Sequence, residues 1–405
     1  MATGRSRSLF AADVDAAAAT LRSVVTGKRV LAIGGAGTIG SSTVTFLSGW
    51  DPACLHVVDQ NENALAELVR GLRGRPQGLS VADFHTLPLD CGSPAFRLWL
   101  HEQRPYDLVL NFAAIKHVRS EKDAISTLQM FDTNLRKQAL VMSWLAEVGF
   151  TGRYFSVSTD KAANPSSMMG ATKRAMEHVL FDRASAGALE AVITSARFAN
   201  VAFSNGSLLQ GFEHRLARRE PLAAPRETRR YFVSIEESGE ICALAATAAP
   251  DRSIVIPRLD PREHLIRLED VAVRFLRRHG FEARFYEDED AARGALEGDV
   301  RQGFWPLLLT PLDTSGEKPY EEFIAAGERT REIGLPNLLT VAYEAAPAGS
   351  VAALIDAIER LFADAAGAKR PRTVTKDELK AIIGAVEPGF LATHRESSRS
   401  LDQRL

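Results

Sequence analysis

A hydroxyl, an acid and a base follow one another in the segment Ser158-Thr159-Asp160-Lys161. The residues before them, Tyr154–Val157, predict a strand. Ligands of open parallel sheets bind beyond the carboxyl ends of the strands, so these side chains lie where chemistry is expected. Together they can exchange protons with a bound molecule. The alternative is that Asp160 and Lys161 form a solvated ion pair at the surface.

A glycine-rich loop near the start of the chain carries Gly34, Gly37 and Gly40 directly after a short apolar run. The first glycine permits a tight turn, the second lets a pyrophosphate approach the backbone, and the third lets a helix lie close to the sheet. The helix that begins near Thr38 and Ile39 offers free N–H groups and its positive dipole end to phosphates. The loop therefore predicts a dinucleotide site, and a plain turn is the alternative.

Two aspartates extend this site. Asp59 follows the second apolar run, about 20 residues beyond the glycine loop, where an acidic residue holds the adenine ribose hydroxyls. Its carboxylate repels the 2′-phosphate of NADP, so NAD is the preferred cofactor. A solvated aspartate at a strand end is the alternative. Asp90 is a further candidate, for the adenine amine.

Short apolar runs alternate with longer amphipathic stretches, which predicts right-handed crossovers and a parallel α/β sheet covered on both faces. The predicted strands are Val30–Ile33, Leu55–Val58, Asp83–Leu89, Leu108–Phe112, Tyr154–Val157, Ala191–Ala196, Ser253–Ile256, Phe281–Tyr286 and Trp305–Thr310. The predicted helices include Ala11–Val25, Asn63–Leu72, Ser93–Gln103, Thr127–Val148, Ala171–Ala184, Leu268–His279 and one within Ala342–Ala366. We expect the first of these helices to pack outside the core.

The composition limits the class of protein. The 405 residues carry a net charge of −2, which gives no reason to expect nucleic acid or a membrane surface as partner. Three widely spaced cysteines favour neither a disulfide framework nor a metal site. The first ten residues lack the apolar core of a secretory signal, and no run is long enough to span a bilayer. We therefore expect a cytoplasmic protein without bound metal.

A set of motifs resembles the polysaccharide-biosynthesis (CapD-like) family of UDP-N-acetylglucosamine 4,6-dehydratases, which are extended short-chain dehydrogenases/reductases. The motifs that carry this resemblance are Asn111–Val118, Thr133-Asn134, Ser158–Pro165, Met169–Arg174, Arg197–Val201, Thr228–Phe232 and Ser315–Lys318. The resemblance covers roughly Lys28 to Phe323. Short-chain dehydrogenases carry Tyr-x-x-x-Lys where this chain has Met169 and Lys173, and part of the family is known for methionine at that position.

The resemblance implies a reaction in three steps. Hydride leaves C4 of the sugar for NAD, water is eliminated across C5 and C6, and hydride returns to C6, which leaves a 4-keto-6-deoxy sugar. Asp160 is then the candidate acid for the departing 6-hydroxyl. Lys161 is the candidate base at C5, provided that burial and the nearby Lys173 lower its pKa toward neutrality. Lys173 would bind the nicotinamide ribose, Thr159 would orient the 4-hydroxyl, and Met169 stands at the tyrosine position.

The same resemblance assigns further contacts. On the cofactor side it implies Ala113, Ala114, Lys116 and Asn134, although Asn134 is better suited to hold backbone than substrate. On the substrate side it implies His117, Asn200, Arg230 and Lys318, the last two as diphosphate cations. A structural histidine and solvated surface charges are the alternatives.

Two other functions stay open on sequence grounds. A nucleotide-sugar 4-epimerase shares the fold, but it needs no acid–base pair at C5 and C6 and normally keeps the tyrosine. A catalytically silent NAD-binding module would explain the missing tyrosine, but not the presence of Thr159, Asp160, Lys161 and Lys173.

The resemblance also implies a domain plan. A Rossmann doubly wound parallel sheet would be followed by a smaller C-terminal α/β substrate-binding region. We place a helical extension at 1–27, the NAD-binding domain with the catalytic residues at 28–205, a mainly substrate-binding region at 206–345, and a C-terminal helix and tail at 346–405. Family members usually pair through two helices, here Thr127–Val148 and Ala171–Ala184, so a homodimer or higher homo-oligomer is expected, with the tail free to dock on a neighbouring subunit.

Overall fold

The computed structural model describes residues 4–116, 121, 123–185, 187, 189–311, 318–367 and 372–394. Its strands are β1 Arg29–Ile33, β2 Cys54–Val58, β3 Asp83–Leu87, β4 Leu108–Asn111, β5 Arg153–Val157, β6 Val192–Ala196, β7 Asn200–Val201, β8 Leu222–Pro225, β9 Arg229–Val233, β10 Ser253–Pro257, β11 Leu265–Arg267, β12 Glu282–Tyr286, β13 Phe304–Thr310, β14 Thr330–Glu332 and β15 Leu338–Ala342.

The helices are α1 Ala11–Ala16, α2 Ala18–Val25, α3 Thr38–Ser48, α4 Glu62–Arg73, α5 Pro94–Glu102, α6 Ala124–Phe131, α7 Lys137–Glu147, α8 Met168–Ser185, α9 Leu208–Ala217, α10 Ile235–Thr247, α11 Pro261–His264, α12 Leu268–Arg278, α13 Glu289–Arg301, α14 Ser350–Gly367, α15 Lys376–Val386 and α16 Pro388–Thr393. Many begin after a side chain that accepts a free backbone N–H of the first turn, as Asn61, Ser93, Asp123, Ser207, Ser234, Asp288 and Thr375 do. Among the described helices, none has the length and apolar character that crossing a bilayer requires.

The main sheet has nine strands in the order β14-β15-β10-β6-β5-β4-β1-β2-β3. From β10 to β3 all neighbours pair in parallel, and β15 and β14 add an antiparallel edge. The strand order reverses between β1 and β4, so the loops after these strands form a crevice at the switch point. The predicted doubly wound Rossmann fold is confirmed.

The N-terminal helices belong to the core, contrary to the expectation that they pack outside it. Phe10, Leu21 and Val25 are fully buried in one apolar cluster with Val30 and Leu55 of the sheet. Their burial shows that the N-terminal segment covers part of one face of the sheet and belongs to the hydrophobic core.

The expected boundary at residue 205 does not divide the main sheet. Strands β10, β14 and β15 lie beyond it and extend that sheet. The remaining strands form two small sheets, β11-β9-β7 and β12-β13-β8. Helix α10 also packs on α3, so closely that a Cβ on Gly239 would stand 2.5 Å from Ser42 Oγ. The chain therefore leaves the main sheet after β6 to form the small sheets and adds β10, β14 and β15 to the main sheet in between and afterwards.

The C-terminal helices cover the helices through which pairing was expected. Leu354 and Ile358 of α14 and Ile383 of α15 are buried in one cluster with Phe131 of α6 and Met176 of α8. The described part of the tail thus docks on its own chain. A dimer that used the surface of α6 to α8 would first have to displace these helices.

Candidate active site

The glycine loop adopts the conformation that its spacing predicts. Gly34 has φ +68°, in the left-handed region, and a Cβ on it would stand 2.6 Å from the backbone nitrogen of Ala113. A Cβ on Gly40 would stand 2.5 Å from Gly34 O. Helix α3 begins after Gly37, which supplies no side-chain cap, so the first N–H groups of the helix receive no capping hydrogen bond from this residue. The loop has the close backbone approach and helix start that fit a dinucleotide phosphate.

The loop is held in place by Asp59. Asp59 Oδ2 accepts the backbone N–H of Ala36 at 3.0 Å, and Oδ1 accepts that of Asn61 at 3.0 Å. The carboxylate therefore lies at the end of β2 beside the glycine turn, and its remaining lone pairs suit ribose hydroxyls. Asp90 is engaged differently, because its Oδ2 accepts from Lys137 Nζ at 2.6 Å.

The predicted reactive trio lies at the carboxyl end of β5. Thr159 begins a single 3-10 turn, and its hydroxyl donates to Asp160 Oδ1 at 2.8 Å. Lys161 Nζ donates to the same oxygen at 3.2 Å. Asp160 is buried while Lys161 keeps a quarter of its side chain exposed. The three side chains therefore form one connected unit rather than a solvated surface pair.

Glu321 joins this unit, and the sequence patterns did not single it out. Its side chain is 5% exposed. Oε1 of Glu321 lies 4.0 Å from Lys161 Nζ, and Oε2 lies 4.0 Å from Lys318 Nζ. Burial raises the pKa of Glu321, against the attraction of Lys161, Arg230 and Lys318. A pair of adjacent glutamates, here with Glu322, has no sequence signal that tells the buried member from the exposed one.

The protonation expected for Lys161 is wrong. Burial does favour its neutral form, but the attraction of Asp160 and Glu321 outweighs burial and raises the pKa of Lys161. Lys173 shows the opposite balance, because burial lowers its pKa to about 8. The raised pKa favours the ammonium form of Lys161.

Lys173 and Met169 lie one turn apart on α8 and are both buried. Lys173 Nζ donates to Val157 O, at the end of β5, at 2.6 Å. The backbone N–H of Met169 donates to Glu121 at 2.8 Å. Helix α8 therefore brings Lys173 to the strand end that carries the trio.

Two of the substrate-side residues lie in the small sheet β11-β9-β7, Asn200 in β7 and Arg230 in β9, and Lys318 lies in a loop. Arg230 donates to the backbone oxygens of Lys318 at 3.0 Å and Pro319 at 3.2 Å. Lys318 Nζ donates to Asn164 O. Asn200 approaches the main chain of β9 at 3.5 Å. Arg230 and Lys318 are thus brought to the trio through Glu321, whereas Asn200 is tied to β9.

Asn134 binds the backbone of a neighbouring segment, which is the role that the sequence predicted for it in preference to substrate binding. Its side chain pairs with the N–H and the carbonyl of Ile115 at 2.8 and 3.0 Å and also donates to Thr172 at 3.2 Å. It thereby fixes the segment after β4 that contains Ala113 and Ala114. Lys116 ends this segment with an exposed side chain, and His117 lies outside the described residues.

One group of potential metal ligands lies elsewhere. Cys54, His56 and Asp83 hold their ligand atoms within 4.8 Å of one another. His56 already bonds Tyr106 and Asp83, at 2.7 and 3.1 Å, and Arg29 pairs with Asp83 at 3.5 Å. These contacts make a polar network towards the amino ends of β2 and β3, away from the glycine loop.

Two curated relatives match long stretches of this chain. The probable polysaccharide biosynthesis protein EpsC of Bacillus subtilis is 27% identical over 320 residues, which cover 78% of this chain and 48% of that protein. A UDP-N-acetylglucosamine 4,6-dehydratase (inverting) of Campylobacter jejuni is 27% identical over 217 residues, which cover 52% of this chain and 61% of the enzyme. The chain spans about half the length of the curated relatives it matches.

Solved structures share the fold. Pen from Bacillus thuringiensis superposes with a TM-score of 0.61 at 21% identity, covering 78% of this chain and 87% of that one. The Bordetella bronchiseptica enzyme WbmF, in complex with NAD+ and UDP, superposes with a TM-score of 0.50 at 16% identity, covering 62% and 76%. The family described as polysaccharide biosynthesis protein matches residues 30–342, most of the chain, and the chain therefore belongs to that family.

Proposed function

We propose that this chain is an NAD-dependent 4,6-dehydratase of a UDP-N-acetylhexosamine, with UDP-N-acetylglucosamine as the first substrate to test. The observation that carries the proposal is the connected trio of Thr159, Asp160 and Lys161 at the carboxyl end of β5, two strands from the glycine loop. The named dehydratase among the relatives supports the same reaction class.

The glycine loop, Asp59 and Lys173 would hold the cofactor. When bound, NAD supplies the acceptor and donor of the hydride that leaves C4 and returns to C6. The acidic end of β2 favours NAD over NADP, because a carboxylate repels a 2′-phosphate.

The chain's own residues then handle protons. The proton that the 4-hydroxyl loses passes through Thr159 to Asp160, and Asp160 then delivers a proton to the departing 6-hydroxyl. Lys161, once neutral, is the base that removes the C5 proton. Thr159 orients Asp160 through its 2.8 Å hydrogen bond. Arg230 and Lys318 add positive charge near the trio for the diphosphate.

The test is a reaction with NAD and UDP-N-acetylglucosamine in deuterated water, followed by NMR of the product. We expect loss of water and deuterium at C5. Formation of the C4 epimer without loss of water would replace the proposal with epimerisation, and bound NAD without turnover on any UDP-sugar would favour a silent module.

The variant Lys161→Ala should abolish product while NAD stays bound. Lys28→Ala is the matched control, because Lys28 lies at the surface, where its ion pair with Asp107 is half exposed. Full turnover by Lys161→Ala would remove this lysine from the mechanism.

A further inference from the structure

Glu321 lies between two lysines that come from different parts of the chain. One oxygen is 4.0 Å from Lys161 Nζ, and the other is 4.0 Å from Lys318 Nζ. The side chain is 5% exposed, so little water compensates its charge. A buried carboxylate in this position interacts with its neighbours much more strongly than an exposed one does.

The charges around Glu321 favour one protonation pattern. Lys161 faces the carboxylates of Asp160 and Glu321, and the positive charge of Arg230 opposes them. The attraction of the two carboxylates outweighs burial and the repulsion of Arg230, which raises the pKa of Lys161 and favours its ammonium form. Lys318 Nζ lies 4.0 Å from the other oxygen of Glu321, so each oxygen of the carboxylate faces a lysine.

In the proposed dehydration, the ammonium form of Lys161 arises between two steps of the reaction. A base at C5 takes a proton before water leaves, and a proton must come back to C5 when hydride arrives at C6. Between these two events the base carries the extra proton as a cation. A fixed carboxylate beside that cation stabilises it without reorganisation.

We infer that Glu321 is a positioning residue that stabilises the ammonium form of Lys161 and aims its amine at C5. The inference rests on the proposed function for its role in turnover, but its effect on Lys161 is measurable without substrate. The proton balance closes at Lys161: one N–H bond forms when C5–H breaks, the ammonium hydrogens exchange with water, and one N–H bond breaks when C5 is protonated.

The first experiment follows the titration of Lys161 by NMR in protein labelled at lysine Cε, in the wild type and in Glu321→Gln. Removing one carboxylate charge should lower the titration midpoint of Lys161 by about one pH unit. Glu332→Gln is the control, because it removes the same charge from an exposed side chain that pairs with Arg258. An unchanged midpoint in Glu321→Gln would overturn the inference, whatever the enzyme's activity.

The second experiment measures turnover against pH. In Glu321→Gln we expect kcat to fall by about 10- to 100-fold, with KM within about threefold, and the acidic limb of the profile to move to lower pH. Glu321→Asp, which keeps the charge, should recover part of kcat and also serves if the glutamine variant folds poorly. A uniform loss with an unmoved limb would mean a merely structural role. A wild type that shows no C5 exchange would instead refute the proposed function.

Discussion

Glu177 of α8 and Arg197, which follows β6, face each other with both side chains fully buried. Arg197 donates through Nε at 2.8 Å and Nη2 at 2.6 Å. Ser158 donates to the same glutamate at 2.6 Å, and Arg197 also reaches Glu328 at 2.6 Å. This network lies directly beneath the strand end that carries Thr159, so it couples the reactive trio to the rest of the core.

Breaking this pair should be costly. We expect Glu177→Gln to lower the free energy of unfolding by about 3–5 kcal/mol, because it leaves a buried arginine short of a counter-charge. Urea unfolding measures the effect. The control is Glu67→Gln, an exposed pair with Arg70 whose loss should cost less than about 0.5 kcal/mol. Equal effects in the two variants would contradict the prediction.

The same pair predicts acid sensitivity. Burial would raise the pKa of Glu177, but Arg197 and Arg174 outweigh it and lower that pKa from 4.5 to about 2. A lowered pKa in the folded state means that the stabilisation is complete above pH 4.5 and is lost as the pH falls towards 2. As the pH falls from 4.5 towards 2, the free energy of unfolding should therefore decrease more steeply for the wild type than for Glu177→Gln. Parallel curves would show that another group controls the acid limb.

The tight turn at Gly34 predicts a large effect of one methyl group. Gly34→Ala must adopt φ +68° and meet the backbone of Ala113 at 2.6 Å, so we expect at least about 2 kcal/mol of destabilisation and loss of NAD binding. Gly71→Ala, at an open position in α4, is the control. It should stabilise by up to about 1 kcal/mol. Thermal unfolding and NAD titration read out both variants.

Asp59 should determine the choice of cofactor. Asp59→Asn keeps an acceptor for the N–H of Ala36 but removes the charge that repels a 2′-phosphate. We expect NADP binding to improve relative to NAD by about fivefold, which corresponds to about 1 kcal/mol. Calorimetric titration with both cofactors measures the ratio. A ratio equal to that of the wild type would place the 2′-hydroxyl away from this carboxylate.

The covered face of α6 to α8 predicts the association state. Ile358→Asp puts a charge into the fully buried contact of α14 with Phe131 and Met176, so α14 should detach and expose an apolar surface. Light scattering of Ile358→Asp should show concentration-dependent association. The control is Asp356→Ala, at an exposed position of the same helix, which should show no such association. Cross-links between α8 of two wild-type copies would contradict the covered face.

The strands and the phosphate loop were predictable because their signals are local. β1, β2 and β4 to β6 fall within a residue or two of their predicted ends, since strands covered on both faces read as continuous apolar runs. Glycines after such a run fix a turn whose geometry hardly depends on distant residues.

Other features depend on partners far along the chain. Lys161 owes its raised pKa to Asp160 and also to Glu321, 160 residues away, and Leu338–Ala342 becomes a strand by pairing antiparallel with β10 and β14. The sequence predicts that the N-terminal helices pack outside the core, because an alanine-rich amphipathic pattern does not show which surface they will pack against. Their burial depends on residues that are distant in the sequence and therefore could not be predicted from the local pattern.

Between α6 and α7 the backbone widens into a π-helical turn at Asp132–Arg136. Such a turn holds one residue more than an α-helix of the same rise. If the same residues wound as a regular α-helix, the extra residue would rotate everything downstream by about 100° relative to α6. Asn134 would then move away from Ile115, and the segment after β4 would lose its anchor. The wide turn thus absorbs the extra residue and sets the angular phase between the two helices.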